Sequence, residues 1–171
     1  MTKRKNTTLI AGIGNEILMD DGIGPRIVKQ LEKALPHSKA DFESVWLGGL
    51  EVIDYIEGYQ QVIFIDAIKT KNGIPGDTYY FKPEDFKETL HLSNIHDVNF
   101  LTAIQLGKML GYQIPPSISI IAIEIVEDKI FGNELTPILN EKYPFIFQEV
   151  LEFVRPLILN GNKTMLRTAV H

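Results

Sequence analysis

The chain has 171 residues, no cysteine and a formal net charge of −5, and 44% of its residues are hydrophobic. This length and composition predict one globular domain over residues 1–171, while the lack of cysteine excludes disulfides, thiolate catalysis and cysteine metal sites. The acidic balance argues against nucleic acid as a partner, and no apolar run has the length of a signal peptide core or a membrane span, so we expect a cytoplasmic protein without membrane contact.

The first predicted unit is a strand, a loop and a helix. The apolar run from Leu9 to Ile13 predicts a buried strand, and apolar residues at helical spacing from Ile23 to Leu35 predict a helix. Between them lie Asp20 and Asp21, either of which could cap that helix. Because a cap needs one carboxylate, we expect the other to point into the crevice at the carboxyl ends of the strands. The Gly-x-Gly here lacks the third glycine of a dinucleotide fingerprint, so no nucleotide site is expected.

The next segments predict two more strands around a short helix. Residues Asp41 to Leu47 alternate as a strand does and lead into Gly48-Gly49, and Leu50 to Ile56 has the spacing of a short helix. The run Gln61 to Ile68 is apolar almost throughout, which is typical of a central parallel strand covered on both faces.

Asp66 lies at the end of that central strand. A carboxylate there is costly to bury unless it is paired, hydrogen-bonded or bound to a cation. One interpretation is that Asp66 binds the backbone of the tight turns between Lys69 and Gly73, and the other is that it belongs to a site. The residue alone does not choose between them.

The second half of the chain predicts a β-strand, a helix, a strand and a helix. Thr78 to Phe81 reads as an antiparallel strand, and Ser117 to Ile125 as another buried strand that carries Glu124 near its end. Thr136-Pro137 predicts the start of a last helix that continues to about Leu157, with a kink at Pro144 and a frayed tail from Asn160 to His171.

His96 precedes the helix predicted over Asp97 to Leu110. The helix dipole at that position disfavours protonation, which keeps an imidazole nitrogen available as a metal ligand or a base. A structural histidine bonded to a carbonyl is the alternative.

The element order β-α-β-α-β-β-α-β-α predicts an α/β fold. We expect a single-domain three-layer sandwich with a twisted, mostly parallel five-stranded sheet and one antiparallel strand. Loops at the same end of such a sheet would bring Asp21, Asp66 and His96 together. Two carboxylate oxygens and an imidazole nitrogen suit a divalent metal such as nickel, zinc, manganese or iron.

One stretch of this sequence is also characteristic of a known family. Gly12-Ile-Gly-Asn-Glu-Ile-Leu-Met-Asp-Asp-Gly-Ile-Gly24 resembles the N-terminal motif of the hydrogenase maturation proteases, endopeptidases that process the C-terminus of the large subunit of [NiFe] hydrogenases. Further segments follow in the family's order: Gly48-Gly49 with Glu51, Ile63 to Ile68, Pro75-Gly76, Ser93 to His96 with Asn99 and Leu101, and Leu135 to Pro137.

The resemblance implies a site and a role for its residues. The family's metal-binding carboxylates match Asp21 and Asp66, which are also the catalytic candidates, and its metal-binding histidine matches His96. Gly48 and Gly49 match the loop that contacts substrate. Asp20 then precedes the ligand position, and Glu16 is interpreted as a loop residue.

The resemblance also implies the substrate. It predicts a small, usually monomeric protease that recognises nickel already installed in the large-subunit precursor, so nickel is carried by the substrate, and another divalent metal could bind in vitro. Hydrolysis could use a metal-polarised carbonyl with activated water or an aspartate as general base. Two other hypotheses are an inactive nickel-binding or nickel-checking module of the same fold and a plain α/β nucleotide or small-molecule binder.

Overall fold

The computed structural model describes residues 6–46, 51–83 and 95–159, with the backbone alone for 95–101. A 3₁₀ turn spans Met19–Gly22. The strands and helices are β1 (Thr8–Ile13), α1 (Ile23–Ala34), β2 (Ala40–Val45), α2 (Glu51–Ile56), β3 (Gln61–Ile68), β4 (Thr78–Phe81), α3 (Ile95–Met109), β5 (Ser117–Glu124) and α4 (Pro137–Leu159).

The five strands form one sheet in the order β2-β1-β3-β5-β4. β4 pairs antiparallel with β5, and the other pairs are parallel. The predicted α/β fold with a mostly parallel sheet and one antiparallel strand is therefore confirmed. β1, β3 and β5 end at the same side of the sheet, with Gly12 beside Ile65 and Ile68 beside Glu124. We call this side the carboxyl edge.

Apolar side chains cover both faces of the sheet. Along β3, Ile63 and Ile65 belong to the core formed with α1 and α4, whereas Val62 and Phe64 belong to the core formed with α2 and α3. This alternation explains why the β3 sequence is apolar throughout, because a central strand between two helical layers buries both of its faces. The result is a single α/β domain of three layers.

The element boundaries differ little from the sequence prediction. α3 begins at Ile95, two residues before the predicted start, and α4 continues to Leu159 with both Pro144 and Pro156 inside it. The loop with Gly48 and Gly49 and the tail from residue 160 lie outside the described residues. Within the part of the chain that is described, no helix is long and apolar enough to cross a membrane.

Candidate active site

The N-terminus of α1 lies directly against the ends of two central strands. A Cβ added at Gly24 would be 2.4 Å from the carbonyl oxygen of Ile65 in β3 and 2.6 Å from that of Ile13 in β1. Only a residue without a side chain allows this approach. The 3₁₀ turn before α1, which carries both aspartates, is thereby held at the carboxyl edge.

Asp21 is held against the loop that follows β1. Its Oδ2 accepts a hydrogen bond of 2.6 Å from the backbone N–H of Asn15. Gly14 has a φ of +136°, and a Cβ there would lie 1.9 Å from the carbonyl oxygen of Asp21. This position in the loop therefore requires glycine. The Asp21 side chain is half-buried at the carboxyl edge, as a candidate site residue should be.

Asp20 has a different environment. It is fully buried, and its carboxylate accepts hydrogen bonds from the backbone N–H groups of Val126 (3.2 Å), Glu127 (3.0 Å) and Thr136 (2.6 Å), and from the Thr136 hydroxyl (2.9 Å). All these donors lie in the segment between β5 and α4. Asp20 therefore joins the 3₁₀ turn to that segment.

The alternative that one of the aspartates caps α1 is wrong. The residue at the N-cap of α1 is Gly22, which makes no side-chain cap bond. The carboxylate of Asp20 is instead saturated by the remote donors, and that of Asp21 binds the preceding loop. A 3₁₀ turn leads into α1, and the N–H of Ile23 donates to the carbonyl oxygen of Asp20.

Asp66 lies near the end of β3, beside Ala122 of β5. It is half-buried, and its Oδ1 accepts the backbone N–H of Ala67 at 2.8 Å. Residues two apart on a strand point to the same face, so Asp66 shares the face of Phe64, which packs with α2 and α3. Asp66 therefore belongs to the α3 side of the carboxyl edge.

Glu124 is a buried carboxylate whose role the sequence did not predict. It is 2% exposed and accepts both the backbone N–H of Thr70 (2.6 Å) and the Thr70 hydroxyl (3.0 Å). The carboxylate that binds the loop after β3 at Thr70 is thus Glu124. The signal was available, because Glu124 ends an apolar strand just as Asp66 does. Burial raises the pKa of the nearby Tyr79 hydroxyl, and the negative charge of Glu124 adds to the rise.

Glu16 is a loop residue, as expected. It forms an ion pair with Lys29, with 2.5 Å between Oε2 and Nζ, and both side chains are well exposed. Such a pair contributes little to stability.

His96 is the second residue of α3, which agrees with its predicted position at a helix N-terminus. The opposite end of α3 leads to Gln113, whose carbonyl oxygen accepts the N–H of Gly58 near the start of β3. The first turn of α3 is therefore directed toward the carboxyl edge. The His96 side chain lies outside the described atoms, as do Gly48 and Gly49.

The described part of the site thus contains two of its three predicted ligands. Asp21 and Asp66 are both at the carboxyl edge, where the 3₁₀ turn contacts β3. Among side chains that the structure describes, no three His, Asp or Glu residues form a metal-binding group, and His96 is not in that set. The assignment of Asp21, Asp66 and His96 as ligands stays a prediction.

Comparison with known proteins agrees with this architecture. The family model described as hydrogenase maturation protease matches residues 16–153. The hydrogenase 2 maturation protease of Escherichia coli (strain K12) is 25% identical over 170 residues, covering 95% of this chain and 98% of the relative. The hydrogenase expression/formation protein HupD of Rhodobacter capsulatus is 24% identical over 151 residues, covering 86% of this chain and 70% of the relative.

Solved structures share the fold. The hydrogenase maturating endopeptidase HybD from E. coli superposes with a TM-score of 0.69 at 23% identity, covering 86% of this chain and 91% of that one. An endopeptidase from Escherichia coli gives a TM-score of 0.71 at 22% identity, with coverages of 95% and 99%. Because the family model spans most of the chain, the chain belongs to the hydrogenase maturation protease family.

Proposed function

We propose that this protein is an endopeptidase that removes the C-terminal extension of a nickel-loaded [NiFe] hydrogenase large-subunit precursor. The observation that carries the proposal is the position of Asp21 and Asp66, two half-buried carboxylates at the carboxyl edge, in a chain of this family. α3 supports it, because its first turn contains His96 and is directed toward the same edge.

The donor set fits nickel as part of the substrate. Two carboxylate oxygens and one imidazole nitrogen suit a divalent ion of borderline softness and leave positions for ligands from the precursor. Two carboxylates at one site cannot both ionise cheaply, so a cation brought by the substrate favours docking. A precursor without nickel lacks that contribution, which would make the enzyme selective for loaded precursor.

Peptide hydrolysis needs a water molecule deprotonated near the scissile carbonyl. Asp21 or Asp66 could accept that proton as a general base, and a metal at the site would supply polarisation of the carbonyl. We expect the protein to act as a monomer of 19.4 kDa, with the precursor as its partner.

The test is processing of a nickel-loaded large-subunit precursor by the purified protein, with a nickel-free precursor alongside and the mass of the C-terminal fragment as readout. We expect cleavage of the loaded precursor only. Equal cleavage of both precursors would remove nickel as the trigger, and no cleavage of either would favour the inactive nickel-checking module.

Variants test the assignment of the site. Asp21→Asn, Asp66→Asn and His96→Ala should each abolish processing. Glu16→Gln is the matched control, because Glu16 lies in the loop just before the 3₁₀ turn of Asp21 and makes an exposed ion pair. Processing at the wild-type rate by the three site variants would refute the assignment.

A further inference from the structure

A second polar site lies on the other helical layer, between α1 and the start of α4. It is a cavity of about 340 Å³. Its lining comes from the first turn of α1, the segment before α4 and the first two turns of α4: Arg26, Glu134, Leu135, Asn140 and Tyr143. None of these residues belongs to the site proposed above.

Arg26 brings an uncompensated positive charge to this cavity. One terminal nitrogen, Nη2, donates to the carbonyl oxygen of Asn133 at 2.5 Å. Its Nε is buried and has no hydrogen-bond partner among the described residues. Among the described residues, Arg26 forms no ion pair with a carboxylate.

An unpartnered buried donor is energetically unfavourable. Leaving such a group without an acceptor is costly, and more so when the group is charged. A guanidinium has five N–H donors, and the bond to Asn133 uses one of them. The remaining donors could bind a planar anion, which would remove the cost.

Two further groups in the cavity can donate hydrogen bonds. Burial raises the pKa of the Tyr143 hydroxyl to about 12, against the opposing effect of the Arg26 charge, so this hydroxyl is neutral and retains its proton at physiological pH. Asn140 offers a side-chain amide from the first turn of α4. Glu134 is exposed and does not come within ion-pair distance of Arg26 among the described contacts.

We propose that this cavity binds a carboxylate, with Arg26 as its main ligand. The guanidinium matches the planar geometry of a carboxylate and binds it through two parallel N–H groups, which a lysine could not do. Tyr143 and Asn140 line the same cavity and can supply further hydrogen bonds to the carboxylate. The volume is at the lower end of small-ligand pockets, which is consistent with a single acidic group.

The position of the cavity connects it to processing, and this step rests on the function proposed above. Arg26, in the first turn of α1, follows Asp21 of the 3₁₀ turn by five residues, which is about 8–9 Å along the axis at about 2.0 Å per residue in the turn and about 1.5 Å in the helix. Two or three extended residues of a peptide span that distance at about 3.4 Å each. The carboxylate is therefore that of an acidic side chain or the C-terminus in the precursor's extension, held while the scissile bond is at the carboxyl edge.

Carboxylate binding is tested directly by NMR on the wild-type protein. The Nε–H resonance of Arg26, identified as the one missing from Arg26→Lys, is followed during titration with sodium acetate. Sodium chloride at equal ionic strength and acetamide are the controls. We expect a saturable shift with acetate alone. No shift, or the same shift with chloride, overturns the proposal.

Two further observations sharpen this result. Titration with N-acetylalanine and with N-acetylglutamic acid α-amide compares a terminal with a side-chain carboxylate, and tighter binding of one identifies the source.

Glu134→Gln tests whether the protein supplies its own anion. If that change alone shifts the Arg26 Nε–H resonance in the direction opposite to the shift that acetate causes, then Glu134 is the occupant and the proposal is wrong.

Processing kinetics test the connection to the precursor. Arg26→Gln should raise KM about tenfold with kcat nearly unchanged, because it removes binding energy away from the reacting atoms. Lys33→Gln, which removes an exposed cation from the same helix, should leave both constants unchanged. An unchanged KM in Arg26→Gln refutes the connection. If the wild type does not cleave at all, the proposed function fails while the acetate titration still decides the cavity.

Discussion

Asp20 and Asp21 are adjacent in the sequence and have opposite environments. Asp20 is fully buried and accepts four hydrogen bonds from the segment before α4. Asp21 is half-buried and binds the loop after β1 through the N–H of Asn15. The difference shows that the saturated carboxylate holds the structure together, while its neighbour remains accessible at the carboxyl edge.

Glu124 and Asp66 repeat this pairing on the neighbouring strands. Glu124 is buried and binds Thr70 twice, whereas Asp66 is half-buried and accepts the N–H of Ala67. In both places a buried carboxylate orders a loop beside a more exposed one. Asp20 therefore anchors the turn that carries Asp21, and Glu124 orders the loop that follows the strand of Asp66, while neither takes part in the proposed chemistry.

Replacing Asp20 should have the largest effect on stability. Asp20→Ala leaves three backbone N–H groups and one hydroxyl without their acceptor, so we expect the free energy of unfolding to fall by about 4 kcal/mol. Urea unfolding of the wild type and the variant measures this difference in free energy. Glu16→Ala, which breaks only an exposed ion pair, is the control and should cost less than about 0.5 kcal/mol. A loss below about 1 kcal/mol in Asp20→Ala would show that Asp20 is not the structural carboxylate of the pair.

Glu124 should have a smaller effect of the same kind. Glu124→Ala removes the acceptor of the Thr70 N–H and hydroxyl, for which we expect a loss of about 2 kcal/mol. The Thr70 amide should then exchange its hydrogen faster than amides in the middle of β3. Unchanged exchange at Thr70 would mean that the loop does not depend on Glu124.

Asp21 should separate stability from activity. In Asp21→Asn the side-chain oxygen can still accept the Asn15 N–H, so the free energy of unfolding should change by less than about 1 kcal/mol. Processing of the precursor should nevertheless be lost. A variant that unfolds as readily as Asp20→Ala would place Asp21 among the structural carboxylates.

These pairs also show what the sequence could predict. The strands and helices depend on local patterns, such as the apolar run of β3 and the Thr136-Pro137 start of α4, and they were predicted closely. Parallel strands also predict that Asp21 and Asp66 share an edge. The role of Asp20 could not be predicted, because its partners lie 106 to 116 residues later in the chain. For Glu124, the position near the end of an apolar strand was visible in the sequence, but its partner Thr70, 54 residues away, was not.

The Arg26 cavity adds a third contrast, because Tyr143 is half-buried and neutral whereas the charge of Arg26 is not paired among the described residues, and Tyr143 gives the smallest predicted effect. Burial raises the pKa of Tyr143 to about 12 in the folded protein, above the ordinary value of 10.0. Between these values the unfolded chain loses this proton while the folded chain keeps it. The contribution to stability is therefore complete below pH 10 and is lost as the pH rises toward 12.

Melting temperatures of the wild type and Tyr143→Phe at pH 9 and 11 measure this effect. We expect the wild type to lose more stability than Tyr143→Phe between the two pH values. Both proteins should show some decline, since burial also raises the pKa of Tyr79 and Tyr80. An equal decline in the two proteins would mean that the Tyr143 hydroxyl is hydrated, and it would then be a weaker donor to a carboxylate in the cavity.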